Sequence, residues 1–248
     1  MMMKGNRNTN IWQYFFFSFL LIFFIGCTKT NRTYSSSGKE DKDVKIPTLS
    51  TKKASAILKD SLELKESVAI QPYGAFPFKL IKEAEIGIQK MYKLKIIILS
   101  SVELPTNAFY PPRNRYRAEK LLVDLDRRKI KGAFKMIGLT SMDISTTKDS
   151  VKFPDWGIFG LGSLPGESCI ISIFRLKTGN AFNQLLISRL VKVINHEIGH
   201  TLGLEHCPVK NCLMEDAAGT IKTVDSESGN LCPDCAKKVK RYLVLPKN

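Results

Sequence analysis

A chain of 248 residues, 44% of them hydrophobic, can bury a core of its own, which excludes both a disordered segment and a miniature scaffold stapled by disulfides. The formal charge of +15 admits anionic partners such as nucleic acid or a phospholipid surface. The densest cluster, Lys237-Lys238-Val239-Lys240-Arg241, has no aromatic residues interleaved with it, so a solvated basic surface is the plainer reading and no nucleic-acid partner is expected.

Residues 1–27 have the layout of an export signal. Lys4 and Arg7 precede an aromatic-rich apolar run over 11–25, too short to span a bilayer comfortably as a helix. Phe24-Ile25-Gly26-Cys27 resembles the lipobox of bacterial lipoproteins, with Phe24 where leucine is usual. Cys27 is then the lipidated residue of a signal peptide of lipoprotein type, and an uncleaved membrane anchor is the rival. Either places the following domain outside the cytoplasm at a membrane, on the periplasmic or cell-surface face. Residues 28–55 are polar, rich in Ser, Thr and Lys, and read as a flexible linker. The folded domain is expected over 56–248.

Within it, residues 76–175 read as alternating helices and strands. Apolar residues at helical spacing (Leu80, Ile81, Ala84, Ile88, Met91) predict a helix over 77–92, and Lys95-Ile96-Ile97-Ile98-Leu99 is a buried-strand run. Residues 104–116, with Pro105, Pro111 and Pro112, read as a loop. A second amphipathic helix follows over 117–130 and a second strand over 133–139. That order predicts parallel strands joined by helices. Two short strands, 156–161 and 169–175, joined by the turn-forming 162–167, supply an antiparallel edge.

Residues 181–202 form the next helix, with Asn180 as its N-cap. Leu186, Leu190, Ile194, Ile198 and Leu202 recur at i,i+4, so one side is buried while His196 and His200 face a cleft. The stretch 196–206 reads H-E-x-x-H-x-x-G-x-x-H and holds all three histidines of the chain. Histidines four apart on a helix can meet one ion. Gly203, able to enter the left-handed region, ends the helix and lets His206 return as third ligand. Three protein ligands leave an open position, the arrangement of a catalytic zinc. Glu197, at the border of the histidine face, is placed to take a proton from water.

Cys207, Cys212, Cys232 and Cys235 follow, two close pairs with the spacing of an all-cysteine structural zinc site. Disulfides in an oxidising compartment are the serious alternative, and a redox dithiol at Cys232-Pro233-Asp234-Cys235 a weaker one.

The pattern from His196 to Cys235, with cysteine directly after the third histidine, resembles the signature of the archaemetzincins, zinc metallopeptidases of the metzincin clan. The resemblance implies a catalytic zinc on His196, His200 and His206, with Glu197 as general base and acid. It further implies a second zinc on the four cysteines and Met214 as the methionine of the turn beneath the catalytic metal. The implied fold is an α/β domain with a twisted, mostly parallel sheet and a small C-terminal subdomain on the four-cysteine site. Its antiparallel edge strand would lie within 168–175, where an extended peptide could pair. The expected activity is hydrolysis of peptide bonds in a peptide or protein substrate, with two zinc ions per chain. A membrane-anchored zinc-binding protein with little or no activity is the alternative.

Overall fold

The computed structural model describes residues 67–148, 151–177 and 184–243, all within one compact unit, Thr48–Asn248. Cys27, the export signal, the linker and Asn180 lie outside the described residues. Among the described residues no helix is long and apolar enough to cross a membrane.

A five-stranded sheet runs in the order β2-β1-β5-β9-β8. Its members are β1 (Ser67–Tyr73), β2 (Lys95–Ile98), β5 (Lys135–Thr140), β8 (Gly160–Gly162) and β9 (Ser168–Ser172). The first four in spatial order are parallel, and β8 is antiparallel to β9 at the edge. Side chains alternate across the sheet as the strand period requires. Val68, Ile70, Ile137, Leu139, Cys169 and Ile171 face one core, whereas Ala69, Met136 and Ile170 face the other. Helices α1 (Phe78–Tyr92) and α3 (Gln184–Thr201) cover the first face through Leu80, Ile88, Leu190, Ile194 and Ile198. On the opposite face lies α2 (Ala118–Arg127), through Leu121 and Leu125.

The mostly parallel α/β architecture is as the sequence predicts, with four corrections. β1 was not expected: Gln71 and Pro72 interrupt its apolar pattern, yet all seven of its residues are buried because it lies between β2 and β5. The single strand expected over 156–161 divides at Phe159. β7 (Trp156–Ile158) pairs with β6 (Ile144–Thr146) in a second, four-stranded sheet, while β8 joins the first. The antiparallel edge is therefore β8 and not a strand within 168–175, since β9 pairs on both sides. The loop expected over 104–116 also contributes β3 (Phe109–Tyr110) and the first residues of β4 (Arg115–Arg117) to that second sheet.

The crossing of α1 and α3 sets the height of the site. A Cβ on Gly87 would stand 2.5 Å from Val191 Cγ1, so only glycine permits this approach, and the Tyr92 hydroxyl donates to the Asn195 carbonyl at 2.6 Å. Beyond α3 come α4 (Ile221–Ser226) and α5 (Pro233–Leu243). Arg189 of α3 binds α4 through two hydrogen bonds of 2.6 Å to the Asp225 carboxylate.

Candidate metallopeptidase site

Helix α3 ends as its glycine dictates. Gly203 has φ +82°, its N–H donates to the His200 carbonyl at 2.8 Å, and Leu204 N–H donates to the Gly199 carbonyl at 3.0 Å. These two bonds are the Schellman closure of a helix. They turn the chain so that His206 comes back over His196 and His200, with ring centroids 5.5 and 4.9 Å away.

The imidazoles are oriented by the backbone. His196 Nδ1 donates to the Leu213 carbonyl and His200 Nδ1 to the Leu204 carbonyl, both at 2.7 Å. A carbonyl can only accept, so the proton of each neutral ring sits on Nδ1 and the lone pair on Nε2. The two Nε2 atoms stand 3.0 Å apart, lone pair towards lone pair. Burial, helped by the neighbouring His200, pushes His196 down to about 4, and burial also lowers His200, so both rings are neutral at physiological pH. Ligand atoms of all three histidines lie within 4.8 Å of one another. Three imidazoles converging on one point, with Nδ1 of His196 and His200 held from behind, fit a zinc ion.

Glu197 is buried against the sheet edge. Its carboxylate accepts the Gly162 N–H, and a Cβ on Gly160 would stand 2.7 Å from its Cγ. Desolvation pushes the carboxyl up to about 8, with the Gly162 hydrogen bond pulling the other way. Glu197, His196 and His206 line one cavity of about 280 Å³, between β7 and β8 on one side and the segment 213–219 on the other.

The four cysteines also come together, with sulfur atoms all within 4.8 Å. None of the five described cysteines is in a disulfide, and the Cys207 and Cys232 sulfurs are 3.8 Å apart. Cys212 Sγ accepts the Cys232 N–H at 3.3 Å. A hydrogen bond from the Cys235 backbone brings the Cys232 thiol down to about 7, closer to the thiolate that metals take. Four convergent sulfurs around a partly formed thiolate fit a structural zinc. Met214 is fully buried under α3, its sulfur against Gly199.

The model of peptidase family M54 matches residues 78–241. The chain belongs to that family. It is similar to the archaemetzincin of Halobacterium salinarum, 31% identical over 179 residues that cover 69% of this chain and 98% of the relative. The archaemetzincin of Methanopyrus kandleri is 35% identical over 142 residues, covering 57% and 75%. The crystal structure of a Methanopyrus kandleri archaemetzincin superposes with a TM-score of 0.61 at 29% identity, covering 72% of this chain and 96% of that one. That of the Archaeoglobus fulgidus archaemetzincin, complexed with malonate, gives 0.59 at 26%, covering 69% and 99%. Membership places this M54 chain among the zinc metallopeptidases, enzymes that act on peptides or proteins.

Several parts of the site have no signal in the motif. They are the Leu213 and Leu204 carbonyls, the glycines of β8, and Asp216, whose carboxylate lies 3.8 Å from His206 Nδ1. Gly160-Leu161-Gly162 offered a hint, two glycines in a strand being a mark of close approach.

Proposed function

We propose that the chain hydrolyses peptide bonds with Glu197 as general base and general acid, and that His196, His200 and His206 hold the zinc. The observation that supports this reading is the convergence of the three imidazoles on one point beside the cavity that Glu197, His196 and His206 line. A zinc ion bound there would polarise the scissile carbonyl and acidify a water molecule. Glu197 accepts the proton of that water as its oxygen bonds to the carbonyl carbon. The same carboxyl then returns the proton to the leaving nitrogen as the C–N bond breaks. Gly162 holds the carboxylate in place by its N–H. In this reading the four cysteines hold a second, structural zinc, and Met214 supports the floor of the catalytic metal without taking part in the chemistry.

The test is Glu197→Gln in zinc-loaded protein. Peptide cleavage should fall by at least about 10²-fold with zinc content unchanged, and unchanged cleavage would exclude the role.

We also propose that the enzyme is exported and tethered at a membrane through Cys27, on the support of the basic start, the apolar run and Gly26-Cys27. Cys27→Ala should move the protein from the membrane to the soluble fraction.

A further inference from the structure

The cavity that reaches Glu197 extends past it, and the hydrolytic step leaves its far part unused. Val193, one helical turn before Glu197, gives it an apolar wall together with Leu213, Ala217 and Val224. Glu227 departs from that character. It lines the same cavity, retains only 8% exposure, and one carboxylate oxygen accepts the Gly229 N–H at 2.7 Å. The other oxygen has no hydrogen-bond partner among the described residues. That oxygen is not among the fully buried atoms, so it stays open to a donor that enters the cavity, although the residue as a whole is buried.

The nearest cation does not fill that role. Lys192 Nζ donates to the carbonyls of Val224 at 2.8 Å, Asp225 at 3.3 Å and Glu227 at 2.6 Å, so its three hydrogens are taken up in holding the end of α4. A donor carried by a guest can therefore take the open oxygen, reaching Glu227 past Val193, Leu213, Ala217 and Val224, with the Lys192 ammonium already engaged.

We propose that this cavity is a specificity pocket that selects a substrate residue with a long apolar stem and a terminal cation, lysine or arginine, whose nitrogen donates to Glu227. The proposal rests on the peptidase reading above. Norleucine, which has the stem of lysine without its amine, fills the walls and leaves the Glu227 oxygen unpaired. A site built around a buried polar group rejects an analogue that lacks the matching partner.

Two peptides that differ only by lysine against norleucine beside the cleaved bond test it. With zinc-loaded enzyme, kcat/KM should favour lysine by at least about tenfold, and the ratio should fall to about one in Glu227→Gln. That variant keeps an acceptor for Gly229 N–H and turns a donor towards the guest; its thermal unfolding checks the fold. In parallel, zinc-loaded Glu197→Gln protein should bind the lysine peptide more tightly by calorimetry, and Glu197→Gln with Glu227→Gln should lose that preference. Equal cleavage of the two peptides, a ratio that survives Glu227→Gln, or binding without preference overturns the proposal. Selective binding without cleavage of either peptide overturns the peptidase reading and leaves the pocket standing. Cleavage of both at equal rates does the reverse.

Discussion

The sulfur of Met214 fills the space beside Gly199: a Cβ on that glycine would stand 2.5 Å from Sδ and 3.1 Å from the terminal methyl. Gly199 lies between His196 and His200 on α3, so this contact sets how closely the turn after the motif approaches the histidines. Gly199→Ala should gain up to about 1 kcal/mol of helix propensity and lose about 1–3 kcal/mol by overpacking. Denaturant unfolding should show net destabilisation, and zinc affinity should fall because the turn carrying Leu213 is pushed away.

Glu197 depends on glycines in the same manner. A methyl at position 160 would meet its Cγ at 2.7 Å and its Oε1 at 2.8 Å. Gly160→Ala should therefore displace the carboxylate while leaving the imidazoles in place. The expected result is a drop in kcat with zinc stoichiometry unchanged, read by metal analysis alongside steady-state kinetics. A kcat equal to that of the unmodified enzyme would show that the seat on β8 does not matter.

The histidine and cysteine clusters are joined through three residues. Cys212 contributes to the cysteine cluster, Leu213 gives its carbonyl to His196 Nδ1, and the Met214 carbonyl accepts the Cys207 N–H at 2.7 Å. Loosening the cysteine cluster should release the Leu213 carbonyl and the orientation of His196. Loss of such an outer partner costs about 10–100-fold in metal affinity. Cys232→Ser should weaken zinc binding at the histidines to that extent, measured by competition with a chelator; an unchanged affinity would show the clusters to be independent.

Arg189 and Asp225 give a pH dependence of folding. The Arg189 guanidinium holds the Asp225 carboxyl below the usual aspartate range. A carboxyl depressed in the folded state adds stability that is present above its unfolded value of about 4 and lost as pH falls through the folded one. Unfolding free energy should therefore decline with acid, and Asp225→Asn should flatten that slope. The cost of Asp225→Asn at neutral pH should be less than the about 3–5 kcal/mol of a fully buried pair, because the Asp225 side chain is 36% exposed.

Much of this molecule can be read from local spacing. Histidines four apart, a glycine three later and a third histidine three beyond that are constraints within one helix and its end, and such constraints are written in neighbouring residues. The burial of Leu186, Leu190, Ile194, Ile198 and Leu202 follows from the same period, as do α1 and α2; the apolar run of β2 does form a strand, but at the sheet edge it is only partly buried, not the buried strand its composition predicts. The convergence of the cysteines was expected from their paired spacing, and the geometry bears it out.

Tertiary structure decided what depends on contacts between distant residues. β1 is a strand because two neighbours pair with it, although its own apolar pattern is broken. β8 takes the sheet edge because the chain changes sheets at Phe159, a choice made by pairing partners rather than by propensity. Glu197 rests on Gly160 and Gly162, His196 takes its tautomer from a carbonyl 17 residues away, and Glu227 shares a cavity with Val193. Hydrogen bonds and close packing act over a few ångströms of space whatever the separation along the chain, so the motif names the candidate ligands while only the fold supplies what orients them.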